Sequence, residues 1–320
     1  MHANSVSSKP AASTPDATPL TVSRSTRAPR VTIGVPVYNG AATLEFALRS
    51  LMSQTYRDLE ILISDNGSTD DTPQIIARLA AEDPRIRVVR QLTNLGANGN
   101  YSFVAQEARG EFLKWASASD WVHPTMIEKC VAAIDTDPGA VLAAPRTRLF
   151  HVDLEHTEEY HHDLTILGDS PLDRLSQWFA LSALNNAFNG LIRVSALRRT
   201  RFVPAYMNAD LVLMGHLALL GRFVLVDEPL YFRRMDIETS TCLQPEAERI
   251  RHHYPKVTAR TLFQEWKHQF GWLRVGLTAP MPLGERVQLL LYLARRCFWK
   301  RAELWHDLSG AVRFAFSSRR

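Results

Sequence analysis

The sequence predicts an α/β fold, a sheet covered by helices on both faces, followed by a mainly helical C-terminal stretch. Two patterns carry this expectation. Apolar runs of strand length alternate with segments of helical periodicity four times between residues 31 and 135, the spacing of β-α units that gives parallel strands. From Leu243 onward the strand-like runs stop, and Leu289, Leu290, Leu293, Phe298, Leu304 and Trp305 are set among Arg and Lys.

Val31 to Val37 reads as a buried strand, Leu44, Ala47, Leu48 and Leu51 recur at helical spacing, and Leu59 to Ser64 is again strand-like. Thr72-Pro73 opens the next helix, with Thr as N-cap, Pro at the first helical position, and Ile75, Ile76 and Leu79 on one face. Ile86 to Arg90 is a third strand. A helix from about Asn98 to Ala108 leads to Gly110 and a short fourth strand, Glu111 to Trp115. Pro124 starts a helix whose Ile127, Cys130, Val131 and Ile134 form a stripe. A strand near Val141 to Leu149 follows, then a polar insertion to about Ser170 and a mixed region. The chain thus divides into a disordered basic tail (1–30), a main domain (31–240) with halves at 31–122 and 123–240, and a helical basic extension (241–320). No internal repeat is present.

At 320 residues, 46% apolar and 22% charged, the chain is long enough to bury a sizeable core. Its net charge of +4 is unevenly spread: residues 1–30 carry +3 and residues 285–320 carry +5, leaving a slightly acidic body. That distribution argues against a nucleic-acid reader, which needs a basic face on its folded part, and suits peripheral contact with an anionic membrane. A helix packed on the main domain with its Arg and Lys in water is the alternative reading of the basic stripe. Cys130, Cys242 and Cys297 are odd in number and lack metal spacing, so a reducing cytoplasm is expected. The most apolar window, Leu211 to Val226, is interrupted by His216 and Arg222 and falls short of a spanning helix. Residues 1–30 lack the apolar centre of a secretory signal.

In a parallel sheet, ligands bind at the carboxyl ends of the strands. After the first strand comes Pro36-Val37-Tyr38-Asn39-Gly40, an aromatic ring and an amide on which a base can stack and bond. After the second comes Ser64-Asp65-Asn66-Gly67-Ser68-Thr69-Asp70, where Asp65 either accepts from a nucleobase or ribose or only shapes a turn. The fourth strand ends in Lys114-Trp115-Ala116-Ser117-Ala118-Ser119-Asp120-Trp121. These turns bring Tyr38, Asp65 and Asp120 to one edge of the sheet.

With those motifs in order, the sequence resembles a family 2 glycosyltransferase. The matching text is Val-Pro-Val-Tyr-Asn at 35–39, Gln54-Thr55-Tyr56 with Glu60-Ile61, Asp65 to Asp70 with Thr72, Asn94-Leu95-Gly96, and Gly110 to Trp115. Asn189-Gly190, Asp210, Gly221-Arg222-Phe223 and Asp227-Glu228-Pro229-Leu230 complete it, so the resemblance covers about residues 31–240. It implies the GT-A fold, a Rossmann-like mixed sheet with a nucleotide-binding half (31–122) and an acceptor half (123–240). It further implies an inverting, nucleotide-sugar-dependent transferase acting in cell-surface polysaccharide or glycolipid synthesis. The donor would be a nucleotide-diphosphate sugar, with a UDP-sugar favoured, and the acceptor a hydroxyl of a glycan or lipid-linked molecule. Residue by residue, Pro36, Tyr38 and Asn39 would meet the base. Asp65 would bond base or ribose, with Asn66, Ser68, Asn94 and Gly96 in the adjoining turns. The segment from Lys114 through Ser119 to Asp120 would hold the diphosphate and a divalent cation, Mn²⁺ or Mg²⁺, with Asp120 as metal ligand. Asp210 takes the place of the catalytic base, and Arg233 and Arg234 stand near the leaving group. Inverting transfer needs a carboxylate to deprotonate the acceptor hydroxyl and a cation to meet charge on the departing diphosphate.

The sequence departs from the family pattern at several places. Ser117 and Ser119 stand where carboxylates are usual, leaving Asp120 alone, so metal affinity is expected to be weak. The ion is then held by Asp120 and the diphosphate together, replaced by Arg side chains, or lost along with catalysis. Met235 stands where a His is frequent, Asn66 replaces a second carboxylate, and Ala209 leaves Asp210 without an adjacent like charge. Two other functions stay in view: a non-catalytic nucleotide-sugar-binding protein, and a sugar nucleotidyltransferase. The latter needs a basic loop after the first strand, which Val35 to Ala42 lacks. Gly96-Ala97-Asn98-Gly99 reads as a helix-starting turn, and His151, Asp153, His156, His161 and His162 as a solvated loop. Trp115 and Trp121 line an acceptor pocket or pack in the core.

Overall fold

A computed structural model of the chain describes residues 28–236, 253, 254 and 262–317. Residues 1–27, most of the expected tail, and Cys242 lie outside them.

The first half alternates as the apolar pattern requires: β1 (Val31–Val37), α1 (Leu44–Met52), β2 (Leu59–Asp65), α2 (Thr72–Glu82), β3 (Ile86–Arg90), α3 (Ala97–Glu107) and β4 (Phe112–Trp115). Every residue of β1 and β2 is buried, which explains their near-continuous apolar sequence. Helix α2 starts one residue earlier than expected. Asp71 takes the N-cap position and Thr72 is the first helical residue, its hydroxyl accepting from the Gly40 N–H at 2.9 Å instead of capping.

The second half contains β5 (Trp121–Val122), α4 (Met126–Thr136), β6 (Ala140–Phe150), β7 (Thr157–Glu159), α5 (Pro171–Leu181), β8 (Leu191–Arg193), α6 (Val194–Leu197), α7 (Ala209–Leu220) and β9 (Arg222–Arg234). Pro124 lies in the turn before α4, not in the helix, and Arg233 and Arg234 are the last two residues of β9. Three helices complete the described residues: α8 (Gln264–Thr278), α9 (Leu283–Trp299) and α10 (Arg301–Ser317).

All nine strands of the described residues belong to one sheet, in the order β3-β2-β1-β4-β8-β6-β9-β5, with β7 on β6. The four strands β3, β2, β1 and β4 are parallel, whereas β8 runs antiparallel to β4 and to β6. The sheet is therefore mixed, and the strand order reverses between β1 and β4, the place at whose carboxyl ends sheets of this kind take a ligand.

Two apolar cores lie on opposite faces. One joins α1, α2 and α4 to the sheet through Leu44, Leu48, Ile76, Leu79, Ile127 and Ile134. The other joins α3, α5, α7, α8 and α9 through Val104, Trp178, Leu213, Trp272 and Leu289. Gly34 sits where α3 crosses β1, and a Cβ there would meet Val104 Cγ1 at 2.0 Å, so the strand needs glycine for the helix to approach. Helices α8 and α9 continue the second core. Trp115 and Cys130 are fully buried, the Trp115 ring stacked on Phe188 at 4.6 Å, so packing is the role of that tryptophan.

Candidate active site

At the carboxyl ends of β1 and β2, two turns lock onto each other. Asn39 adopts left-handed backbone (φ 49°), donates its N–H to Ser68 Oγ (2.9 Å) and accepts from the Thr69 N–H at Oδ1 (2.9 Å). Asn66 is bonded at both ends of its amide, accepting from Leu95 N–H (2.8 Å) and donating to Asn94 Oδ1 (3.0 Å), which also accepts from Gly96 N–H. Asn39, Asn66, Ser68, Asn94 and Gly96 thus build the platform itself. Pro36 is buried within β1, whereas the Tyr38 ring projects with 48% of its surface exposed. Asp65 is the second presented group. Its Oδ1 accepts from the Ser68 N–H at 2.9 Å, but among the described residues the buried Oδ2 accepts no hydrogen bond and has only an ion-pair contact to Arg90 Nε at 3.4 Å. A buried carboxylate oxygen with spare acceptor capacity is a place for an incoming N–H or O–H.

Beyond β4, the residues meet those of β9. Asp120 accepts from the Tyr231 hydroxyl at Oδ2 and from the Arg234 N–H (2.9 Å) at Oδ1. Burial raises the Asp120 carboxyl above its usual range, against the pull of these two donors and of the Arg233 and Lys114 charges. Lys114 is fully buried. Its ammonium donates to the Trp115 and Asn189 carbonyls, both at 3.0 Å, and burial lowers its pKa to about 8. The Arg234 guanidinium lies over the rings of Phe150 (4.8 Å) and Phe46 (5.5 Å) and donates to the Ser119 carbonyl. Ser117 and Ser119 hydroxyls bond to each other at 2.9 Å.

Asp210 stands in the first turn of α7, and Asn185 Nδ2 donates to its Oδ2 at 2.7 Å. Asn185 is left-handed (φ 56°), a conformation asparagine tolerates better than most residues. The turn that carries it is pinned by Arg233, whose Nη1 donates to the Leu184 carbonyl and to Asn186 Oδ1, both at 2.7 Å. Burial raises the Asp210 carboxyl above its usual range, and Asn185, nearby backbone N–H groups and Arg233 oppose that rise. Arg233 therefore acts electrostatically on both Asp120 and Asp210. Asn185, Tyr231 and the pinning by Arg233 were not evident from the sequence. The one signal available was the Asn185-Asn186 pair, a residue type that favours left-handed turns.

The donor set at Asp120 does not fit a resident divalent ion. Mg²⁺ and Mn²⁺ take several oxygen ligands, with carboxylates preferred. Here there is a single carboxylate, its two oxygens accepting from Tyr231 and Arg234, the two serine hydroxyls bond to each other, and no three His, Cys, Asp or Glu side chains converge among the described residues. The His-rich insertion gives no such cluster either: His156 and Asp153 pair with each other on the surface.

Residues 32–200 match the sequence profile of glycosyl transferase family 2. Among curated proteins, the chain is 36% identical over 93 residues to a GalNAc(5)-diNAcBac-PP-undecaprenol beta-1,3-glucosyltransferase of Campylobacter jejuni, covering 29% of this chain and 30% of that one. It is 33% identical over 105 residues to a chondroitin synthase of Escherichia coli, 33% of this chain and 15% of that one. The chain thus spans less than a third of the length of these relatives. Among solved structures, S. aureus TarS 1-349 in complex with UDP-GlcNAc superposes with a TM-score of 0.61 at 16% identity, covering 84% of this chain and 72% of that one. A mannosyltransferase from Pyrobaculum calidifontis in complex with GDP-Man and Mn²⁺ gives 0.50 at 19% identity, with coverage of 84% and 76%. These likenesses establish the GT-A type of fold. No helix of the described residues is long and apolar enough to cross a membrane.

Proposed function

The chain belongs to glycosyl transferase family 2, and on that premise we propose that it transfers one sugar, with inversion, from a UDP-sugar to a hydroxyl of a glycan or lipid-linked acceptor presented at the inner face of a membrane. Tyr38 stacks on the base and Asp65 Oδ2 accepts from it. Arg233 meets the diphosphate, Asp120 fixes Tyr231 and the Arg234 backbone beside it, and Asp210 takes the acceptor proton as the hydroxyl attacks the anomeric carbon. The bond from that carbon to the diphosphate oxygen breaks as the new glycosidic bond forms. Lys114, buried and bonded to carbonyls, fixes the charge around Asp120 without touching the donor. The observation that carries this reading is the sharing of one cation: Arg233 pins the turn that holds Asp210 and also acts on Asp120, so base and leaving-group sites are built as a unit.

A base held above the usual aspartate range matches its task better than an ordinary one. Asp210→Asn is expected to lower turnover by about 10²- to 10⁴-fold, with UDP affinity unchanged within about twofold. Rate assays with UDP-GlcNAc, UDP-glucose and UDP-galactose, alongside calorimetric UDP titration, read both; unchanged turnover removes Asp210 from the role. The serines at 117 and 119 favour one rival, a non-catalytic nucleotide-sugar-binding protein. Slow hydrolysis of the donor, releasing UDP, distinguishes the enzyme from the binder, because hydrolysis still requires the leaving-group residues.

A further inference from the structure

Helix α8 has two apolar faces. Trp272, Val275 and Gly276 are buried on the side of α7 and α9. On the opposite side Phe270, Leu273 and Leu277 stand open at helical spacing, Phe270 being 58% and Leu277 56% exposed, and Phe263 lies open just before the helix. A helix of a globular protein needs one apolar face to hold it to a core; the second packs on no core among the described residues.

Against that open face, the loop before α7 forms a recess of about 620 Å³ whose walls include Arg201, Tyr206, Lys267, Phe270, Arg274 and Leu277. Among the described residues no Asp or Glu lines it. Arg201 and Arg274 are exposed and have no carboxylate partner among the described residues. The apolar strip continues into a second recess of about 300 Å³ bounded by Phe263, Trp266, Phe270 and Leu308. Further along, Phe298, Trp299 and Trp305 are each more than 60% exposed, and residues 262–317 carry eight Lys or Arg against four Asp or Glu.

We propose that the open face of α8 and its basic recess form a docking surface for an anionic lipid bilayer, with Arg201, Lys267 and Arg274 at the headgroups and Phe270, Leu273 and Leu277 in the acyl boundary. Apolar side chains bordered by cations, with aromatic rings beside them, are what an interfacial helix presents to such a surface. Charge argues against a second copy of this chain: a two-fold contact across this face would set cations on cations, with no acid among the described residues of the recess. The surface also lies where it would matter. Tyr206 walls the recess and precedes Asp210 by four residues, so docking turns the loop leading to the proposed base toward the bilayer. This inference rests on the membrane placement proposed above and is independent of the chemistry assigned to Asp210.

The test is co-sedimentation of the full chain with vesicles of phosphatidylcholine alone or mixed with phosphatidylglycerol, with UDP titrated into the same preparations. Binding is expected to be at least tenfold stronger to the anionic vesicles and to weaken with salt. Arg201→Gln and Arg274→Gln should each weaken it about fivefold, the worth of one cation near an anionic surface. Phe270→Ser with Leu277→Ser should weaken it further, and Arg57→Gln, an exposed arginine on another part of the surface, should leave it unchanged. All the substituted side chains are exposed, so circular dichroism should show an unaltered fold. Equal binding to neutral and anionic vesicles, no binding, or variants indistinguishable from wild type overturns the proposal. So does a lipid-free dimer that Phe270→Ser dissolves, which would give the face to a second copy. Lost vesicle binding with UDP binding intact counts against docking alone; the reverse counts against the donor site alone.

Discussion

Asp210 is held so that its proton affinity, and not only its position, sets the range over which it can act. Its folded pKa is raised above 3.8, chiefly by burial, so the carboxylate needed for proton abstraction is lost as pH falls through a value above the ordinary aspartate range. The acidic limb of kcat/KM is expected there. Asn185 opposes the rise, since its Nδ2 bond at 2.7 Å favours the charged form. Asn185→Ala should therefore move the limb upward by about one pH unit, the worth of a hydrogen bond to a charged group. A merely structural asparagine would lower the profile without moving it, so a pH-rate series separates the two. The three carboxylates of the site were legible in the sequence because each follows a strand or opens a helix whose apolar pattern locates it. Their partners were not. Tyr231 and Asp120 are 111 residues apart, and Arg233 and Asn186 are 47 apart, so nothing local marks either pair.

At the scale of elements, the approach of α3 to β1 is the packing on which the nucleotide-binding half depends. A Cβ at Gly34 would fall 2.0 Å from Val104 Cγ1 and 3.4 Å from Leu113 Cδ1, and both belong to buried walls that cannot retreat freely. Gly34→Ala should cost about 1–3 kcal/mol by overpacking. Val104→Ala alone should also destabilise, through the lost methyl groups, yet the double variant should be more stable than the sum of the single costs by about 1 kcal/mol or more. Urea denaturation of the four proteins checks this, and strict additivity would mean that the helix shifts as a body instead. The strands β1 to β4 and the helices between them were readable because buried parallel strands are continuous apolar runs. The second half was harder for a physical reason. Strand β8 has three residues and β7 three, and the β6–β9 pairing has register shifts at Ala140/Leu142, Pro145/Arg146 and Arg146/Thr147, so period-two alternation is broken where it would be sought.

At the scale of the whole molecule, the proposed donor site spans the junction between the parallel and mixed parts of the sheet, with Tyr38 after β1, Asp120 after β4 and Arg233 on β9. The net charge of the Asp120 surroundings then decides whether a metal is needed. One buried carboxylate faces Arg233 and Lys114, and it already accepts from Tyr231 and Arg234. A dication entering here would displace donors and meet two positive side chains, whereas a diphosphate would find the Arg233 guanidinium, of which only Nη1 is committed within the described residues. UDP is therefore expected to bind with a Kd that changes less than about threefold when Mn²⁺ is added. Arg233→Met should weaken UDP by about 10- to 100-fold with or without the ion, the range of a charge-assisted hydrogen bond of about 1.5–3 kcal/mol. Arg233→Lys, which keeps the charge but not the fork, should recover part of it. Calorimetric titration of UDP, GDP and TDP into the protein decides the matter. A tenfold or greater gain on adding Mn²⁺, retained in Arg233→Met, would mean that Asp120 and the diphosphate hold an ion between them and that Arg233 serves only the turn carrying Asn185.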